Sequence, residues 1–147
     1  MNLSPSQRHG IRVRIDFARE ELADLQRYRE ITWVQYQADR DTRRIVERII
    51  ENVANALLDI TKILLSALGH PSPGTYREIM LALAVTGLAP ADLAQDLATI
   101  AGLRNTLAHR YLDYKWDGVH WFLKKGMDRV QWWLDQCEAL LERETSP

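Results

Sequence analysis

Apolar residues in this chain recur at steps of three and four, the spacing of helices with one buried face, and nowhere alternate long enough to define a strand. From Ile11 the series Ile15, Ala18, Leu22, Leu25 and Tyr28 predicts a first amphipathic helix. The run Ile31-Thr32-Trp33-Val34-Gln35-Tyr36 has some strand propensity, but reads as the end of that helix or as a segment packed just after it. A long helix from about Thr42 to Leu68 carries Ile45, Ile49, Val53, Leu57, Ile60 and Leu64 on one stripe. Val46, Ile50, Ala54, Leu58 and Leu65 widen it. So broad an arc places this helix at the centre of a bundle or against a partner subunit.

Gly69-His70-Pro71-Ser72-Pro73-Gly74 interrupts the pattern as a loop. Thr75, with Glu78 three residues on, forms a capping-box pattern opening a short helix that stops at Gly87. Pro90 suits the first turn of the next helix and Asp92 its positive end. That helix uses Leu93, Leu97, Ile100, Leu103 and Leu107. Asp117 is placed to cap a last helix, in which Val119, Leu123, Val130, Leu134, Cys137 and Leu141 recur. Residues 1–10, with Ser4-Pro5-Ser6 and Gly10, read as a flexible N-terminal tail, and 11–147 as a single domain. The expected fold class is all-α, an antiparallel bundle of about five helices.

Composition narrows the setting. The 147 residues suit one domain. No apolar run approaches the roughly 20 residues of a membrane span. The start, Met1-Asn2-Leu3-Ser4-Pro5-Ser6, lacks the apolar core of a signal peptide, and Cys137 is alone, so a reducing cytoplasm is the expected location. Cys137 reads as a small buried hydrophobe rather than a reactive thiol. The net charge of −1 argues against coating nucleic acid by charge alone. Residues 1–48 hold ten Arg against eight acids and residues 49–147 nine bases against twelve acids, too slight a skew for a basic stripe. Any contact with RNA must come from a few placed arginines, doubled if the chain dimerises.

The candidate chemistry is concentrated in Arg104-Asn105-Thr106-Leu107-Ala108-His109-Arg110-Tyr111. An arginine that clamps a phosphate, beside a histidine that moves a proton at neutral pH, suffices to cleave a phosphodiester without metal. Stepping about 100° per residue from Leu93 puts Arg104 near 20° and Tyr111 near 0°, inside the apolar stripe. Asn105 and His109, at about 120° and 160°, form the adjoining polar edge, with the small Ala108 between the two sets. A guanidinium on a buried stripe is costly unless something pairs it or the stripe opens into a cleft. The motif is therefore expected to line a groove. Taken singly, each residue has a structural reading as well: a salt-bridged Arg, a hydrogen-bonded His, a core Tyr. His70 lies in a loop and His120 among aromatics. No His, Cys, Asp or Glu spacing suggests a metal, no cofactor is implied, and Trp116, Trp121, Trp132 and Trp133 read as packing.

The pattern R-x4-H-x-Y, written Arg104…His109-Arg110-Tyr111 with Asn105 after the arginine, resembles the signature of HEPN-domain ribonucleases. More narrowly it resembles HepT-like toxins, partners of MntA-like minimal nucleotidyltransferase antitoxins. Asp41-Thr42-Arg43-Arg44-Ile45-Val46-Glu47-Arg48, Leu58-Asp59-Ile60, Thr75-Tyr76-Arg77-Glu78 and Gly102-Leu103-Arg104-Asn105 are similar to that family in order and spacing, over about residues 10–143. The resemblance implies an all-α homodimer with two motifs facing across a cleft, and metal-independent cleavage of tRNA or mRNA. Arg104 would then hold the scissile phosphate, His109 act as base or acid, and Asn105 position phosphate or imidazole. Tyr111 would support the site and receive AMP from the antitoxin. Arg110 departs from the small residue common in relatives, and Asp113 and Asp117 stand near enough to weaken the positive field. A second reading of the same groove is a non-catalytic subunit that binds a nucleotide or the nucleotidyltransferase.

Overall fold

Ser4 starts the first helix earlier than the apolar periodicity predicts. Its hydroxyl accepts from the Gln7 N–H at 3.1 Å while the Gln7 side chain accepts from the Ser4 N–H at 2.9 Å. This is a complete capping box, with Pro5 pre-set at the first helical position. Helix α1 therefore spans Pro5–Leu25 and Leu3 is buried against the core. The expected tail at 1–10 is corrected: residues 5–10 are the opening turns of α1, because the cap, not the apolar stripe, sets its start. The computed structural model describes residues 1–109 and 112–145, with side chains at 1–109 and 115–143.

The remaining helices are α2 (Trp33–Ala38), α3 (Arg40–Ala67), α4 (Tyr76–Val85), α5 (Ala91–His109), α6 (Leu112–Trp121) and α7 (Met127–Thr145). The segment with strand propensity is helical at α2 because Thr32 and Gln35 form a second complete capping box. Among the described residues all regular structure is helical, and five long rods carry it, α6 and α7 being joined through a π-helical turn at Phe122–Gly126.

Helix α3 is central, packing against α1, α4 and α5. Its stripe is buried as expected, from Val46 and Ile49 through Leu57 and Ile60 to Leu65, except for Ile45, which is 42% exposed. Polar pairs at the seams mark the relative direction of three of the rods. Arg14 meets Asp59 at 3.4 Å and Asn52 donates to Glu21 at 3.2 Å, so α1 runs antiparallel to α3. Arg12 meets Glu138 at 2.7 Å, Arg19 meets Asp135 at 2.8 Å and Arg29 meets Asp128 at 2.7 Å, so α7 runs antiparallel to α1. The buried Thr61 donates to the Leu57 carbonyl at 2.9 Å and so carries no unpaired hydroxyl.

Two helices end as the loop residues predict. Gly69 and Gly87 take φ of +68° and +75°, and backbone N–H groups beyond each glycine return to the last turn: His70 to Leu65, Leu88 to Leu83. The stop at Gly87 folds α4 back against α5. Asp117 is corrected: it lies inside α6 rather than capping a helix. The rod runs through because Val119, Leu123, Val130, Leu134, Cys137 and Leu141 all reach the core, with the π turn adjusting the register between Val119 and Val130. Cys137 is buried, and burial pushes its thiol well above the usual range, so it is inert as expected.

Arg19, then Arg12, hold the Glu138 carboxyl below the usual carboxylate range. A carboxyl lowered in the folded state contributes stability above its unfolded value and loses it as pH falls through the folded one. Glu138→Gln should therefore cost up to about 1 kcal/mol at pH 7, these pairs being partly exposed. Urea unfolding should show the gap to wild type narrowing as pH falls below the usual carboxylate range.

Candidate functional site

Helix α5 presents the motif. Leu93, Leu97, Ile100, Leu103 and Leu107 are all buried, so the rotational position of the helix is fixed by its apolar stripe. That position leaves Arg104 half-buried and Asn105, Ala108 and His109 exposed. The guanidinium sits over the ring of Tyr76, 4.8 Å from its centroid. Among the described residues no carboxylate lies within ion-pair distance of it. A cation over a π face gains about 0.5–1 kcal/mol at exposed sites, and more when desolvated. The partner that the sequence argument required for Arg104 is thus an aromatic ring.

Tyr76 is held there by its own helix start. Thr75 accepts from the Glu78 N–H at 3.2 Å, and Tyr76 is the first residue of α4, which packs along α5. Neither Tyr76 nor Lys62, whose Nζ lies 5.6 Å from the same ring centroid, stands out by periodicity. The ring contacts join positions on three helices, and no local spacing encodes that.

Arg104 and His109 share α5 but not a face. Five residues turn an ideal helix by about 140° and advance it by about 7.5 Å. Within one chain the guanidinium therefore leans toward α4 while the imidazole stands on the exposed side of the last turn. Asn105 stands on the exposed face as well. Two clefts among the described residues lie elsewhere. One, of about 740 Å³, is lined by residues of α1 and α3 such as Glu21, Arg44, Arg48 and Ile49. The other, of about 650 Å³, lies around Tyr28, Ile31 and Asp39. Arg110 and Tyr111 fall outside the described residues, as does the Asp113 side chain.

Beyond the motif, α6 is anchored by an aromatic corner. Trp116 packs on Tyr36 at 5.1 Å and Trp33 at 6.1 Å, and stacks on His120 at 5.2 Å. The Tyr36 hydroxyl donates to Glu47 at 2.6 Å, and Lys115 pairs with the same carboxylate at 3.6 Å. Burial, then Glu47, pushes the phenol far above its usual range, so it stays a donor at every physiological pH. His120 is accounted for as part of this packing. Trp133 is buried as well, but Trp132 is 42% exposed and does not pack as expected. Among the described residues no three imidazole, thiol or carboxylate groups converge, and no helix is long and apolar enough to cross a membrane.

An all-α bundle with R-x4-H at the end of one inner helix defines a recognisable class. The model of the family Ribonuclease HepT-like matches residues 18–136, and the chain belongs to that family. A tRNA nuclease HepT from Aphanizomenon flos-aquae (strain 2012/KM1/D3) is 28% identical over 103 residues, 70% of each chain. A solved toxin–antitoxin structure with AMP-PNP superimposes with a TM-score of 0.80 at 19% identity, covering 89% of this chain and 98% of that one. The tri-AMPylated HEPN toxin of Shewanella oneidensis, in complex with MNT antitoxin, gives 0.66 at 19% identity, covering 91% and 95%. YutE of Bacillus subtilis, a cytosolic protein of unknown function, gives 0.75 at 20%, covering 100% and 97%. These structural likenesses establish the HEPN-type fold.

Gly118 sets how closely α6 approaches the motif, since a Cβ there would collide with the Leu103 side chain, one residue before Arg104. Gly118→Ala sets an overpacking cost of about 1–3 kcal/mol against about 1 kcal/mol gained in helix propensity, so the net loss should be no more than about 2 kcal/mol, read as a lower urea midpoint with an unchanged slope.

Proposed function

We propose that the chain is the toxin of a toxin–antitoxin pair, an endoribonuclease that cuts tRNA or mRNA in the cytoplasm without a metal. The observation that carries this is Arg104: a half-buried guanidinium held by a ring and not neutralised by any described carboxylate. In this reading its N–H donors take the phosphate, and Asn105 and His109 stand exposed on the same helix end, off the face that Arg104 occupies. Family membership and the tRNA nuclease relative support the same reaction class.

In this reading Arg104 binds the scissile phosphate and the charge that develops on it. His109 accepts the 2′-hydroxyl proton or supplies one to the leaving oxygen, and Asn105 positions the phosphate or the imidazole. The 140° or so between Arg104 and His109 on an ideal helix argues that a second copy completes the site. A homodimer with the two α5 ends facing each other would set the Arg104 of one chain near the His109 of the other. Tyr111 supports the site and is the acceptor of AMP from a cognate MntA-like nucleotidyltransferase. The added phosphate and bulk would compete with RNA for Arg104. The neighbour solved as a tri-AMPylated toxin with its antitoxin supports that regulation.

His109→Ala should lower RNA cleavage by about 10²–10⁴-fold, and Arg104→Ala by about 10²–10³-fold. Because His109 is exposed, its replacement should shift stability by no more than about 0.5 kcal/mol. Both variants should relieve growth arrest in cells that express the chain alone. Cleavage that persists undiminished in His109→Ala, or that EDTA abolishes in the wild type, would overturn the mechanism. Binding of ATP without any RNA cleavage would favour a non-catalytic subunit instead.

Co-expression with a cognate MntA-like nucleotidyltransferase should add AMP to Tyr111, seen by intact mass and peptide mapping. Unmodified Tyr111 in an inhibited complex would mean inhibition by binding alone.

A further inference from the structure

Two cations converge on one ring. Arg104 and Lys62 both lie over Tyr76, at 4.8 Å and 5.6 Å from its centroid, inside the roughly 6 Å range of a cation–π contact. They come from different helices, α5 and α3, and the ring from a third, α4. Several cations along the helix seams meet carboxylates: Arg12 with Glu138, Arg14 with Asp59, Arg29 with Asp128, Arg129 with Asp96. Arg27 lies over the Tyr28 ring instead, but as a single cation, whereas Tyr76 carries two. Neither cation has a carboxylate within ion-pair distance among the described residues, although bringing two like charges to one ring is unfavourable by itself.

The choice of a ring over a carboxylate has a chemical consequence. A carboxylate would occupy the N–H edge of the guanidinium, the edge that grips a phosphate bidentately. A π face holds the cation by its flat side and leaves that edge free. Lys62 is exposed, and its ammonium is a compact charge suited to a second phosphate.

We propose that Tyr76 is a positioning residue that fixes Arg104 for the scissile phosphate, and that Lys62, over the same ring, binds a neighbouring phosphate of the RNA strand. The inference rests on the ribonuclease reading above and adds to it a two-phosphate subsite built by α3, α4 and α5.

The test compares steady-state cleavage of an RNA substrate by wild type, Tyr76→Leu, Tyr76→Phe and Lys62→Gln, each checked for a cooperative melt. Tyr76→Leu should lose about tenfold or more in kcat with little change in KM, as a misplaced catalytic group does. Tyr76→Phe, which keeps the ring face, should restore most of that loss. Lys62→Gln should raise KM about threefold. In a His109→Ala background it should also reduce the slope of log affinity against log salt by about 0.7–0.9, one phosphate contact. Should Tyr76→Leu fail to fold, Tyr76→Met takes its place. An active wild type matched by both Tyr76→Leu and Lys62→Gln overturns this inference alone. A Tyr76→Phe as impaired as Tyr76→Leu also overturns it, by moving the role to the hydroxyl. A folded wild type that cuts no RNA overturns the ribonuclease reading itself.

Discussion

The guanidinium of Arg104 sits at the edge of a buried helix face, where a charge needs a partner, and it finds the ring of Tyr76. A carboxylate partner would have made Arg104 a structural salt bridge, with its donors consumed. The aromatic partner stabilises the charge, and among the described residues no carboxylate neutralises it. Much of what surrounds the site serves that one contact. Thr75 fixes the start of α4 and hence the ring, Gly87 turns α4 back onto α5, and the leucine stripe of α5 sets the rotation that aims Arg104 at it.

The rest of the bundle supplies a rigid base for that helix end. Helix α3 contributes the widest apolar face, and ion pairs at the seams select the antiparallel arrangement of α1, α3 and α7. Such partly exposed pairs add little net energy, but each fixes register where apolar contacts alone would tolerate a slip. The aromatic corner of Trp33, Tyr36 and Trp116 then pins α6 where it begins after the motif. In the proposed reading, function on this frame resides in a few placed side chains, since a net charge of −1 offers no general attraction for RNA.

Most of the fold was legible as periodicity. The stripes of α3, α5 and the α6–α7 rod are buried nearly residue for residue, and the glycine stops at 69 and 87 fall where the loops were read. The misreadings were of local chemistry. The Ser4–Gln7 box began α1 in what looked like a tail, since its first turns carry too few apolar residues to show a stripe. Asp117 looked like a cap because Asp so often is one, but packing on both sides of it carried the helix through. Ile45 continues the stripe of α3 in sequence yet is exposed, because it lines the open cleft between α1 and α3 rather than the closed core.

The order of residues was enough to determine helix positions, the buried face of each, and the presence of an arginine and a histidine near one helix end, because 3.6-residue periodicity and capping are short-range properties. Whether that arginine would be neutralised or kept open was decided only when α3, α4 and α5 packed together. Tyr76 and Lys62 are 28 and 42 residues distant in the chain from Arg104, and meet it through packing that no local pattern encodes.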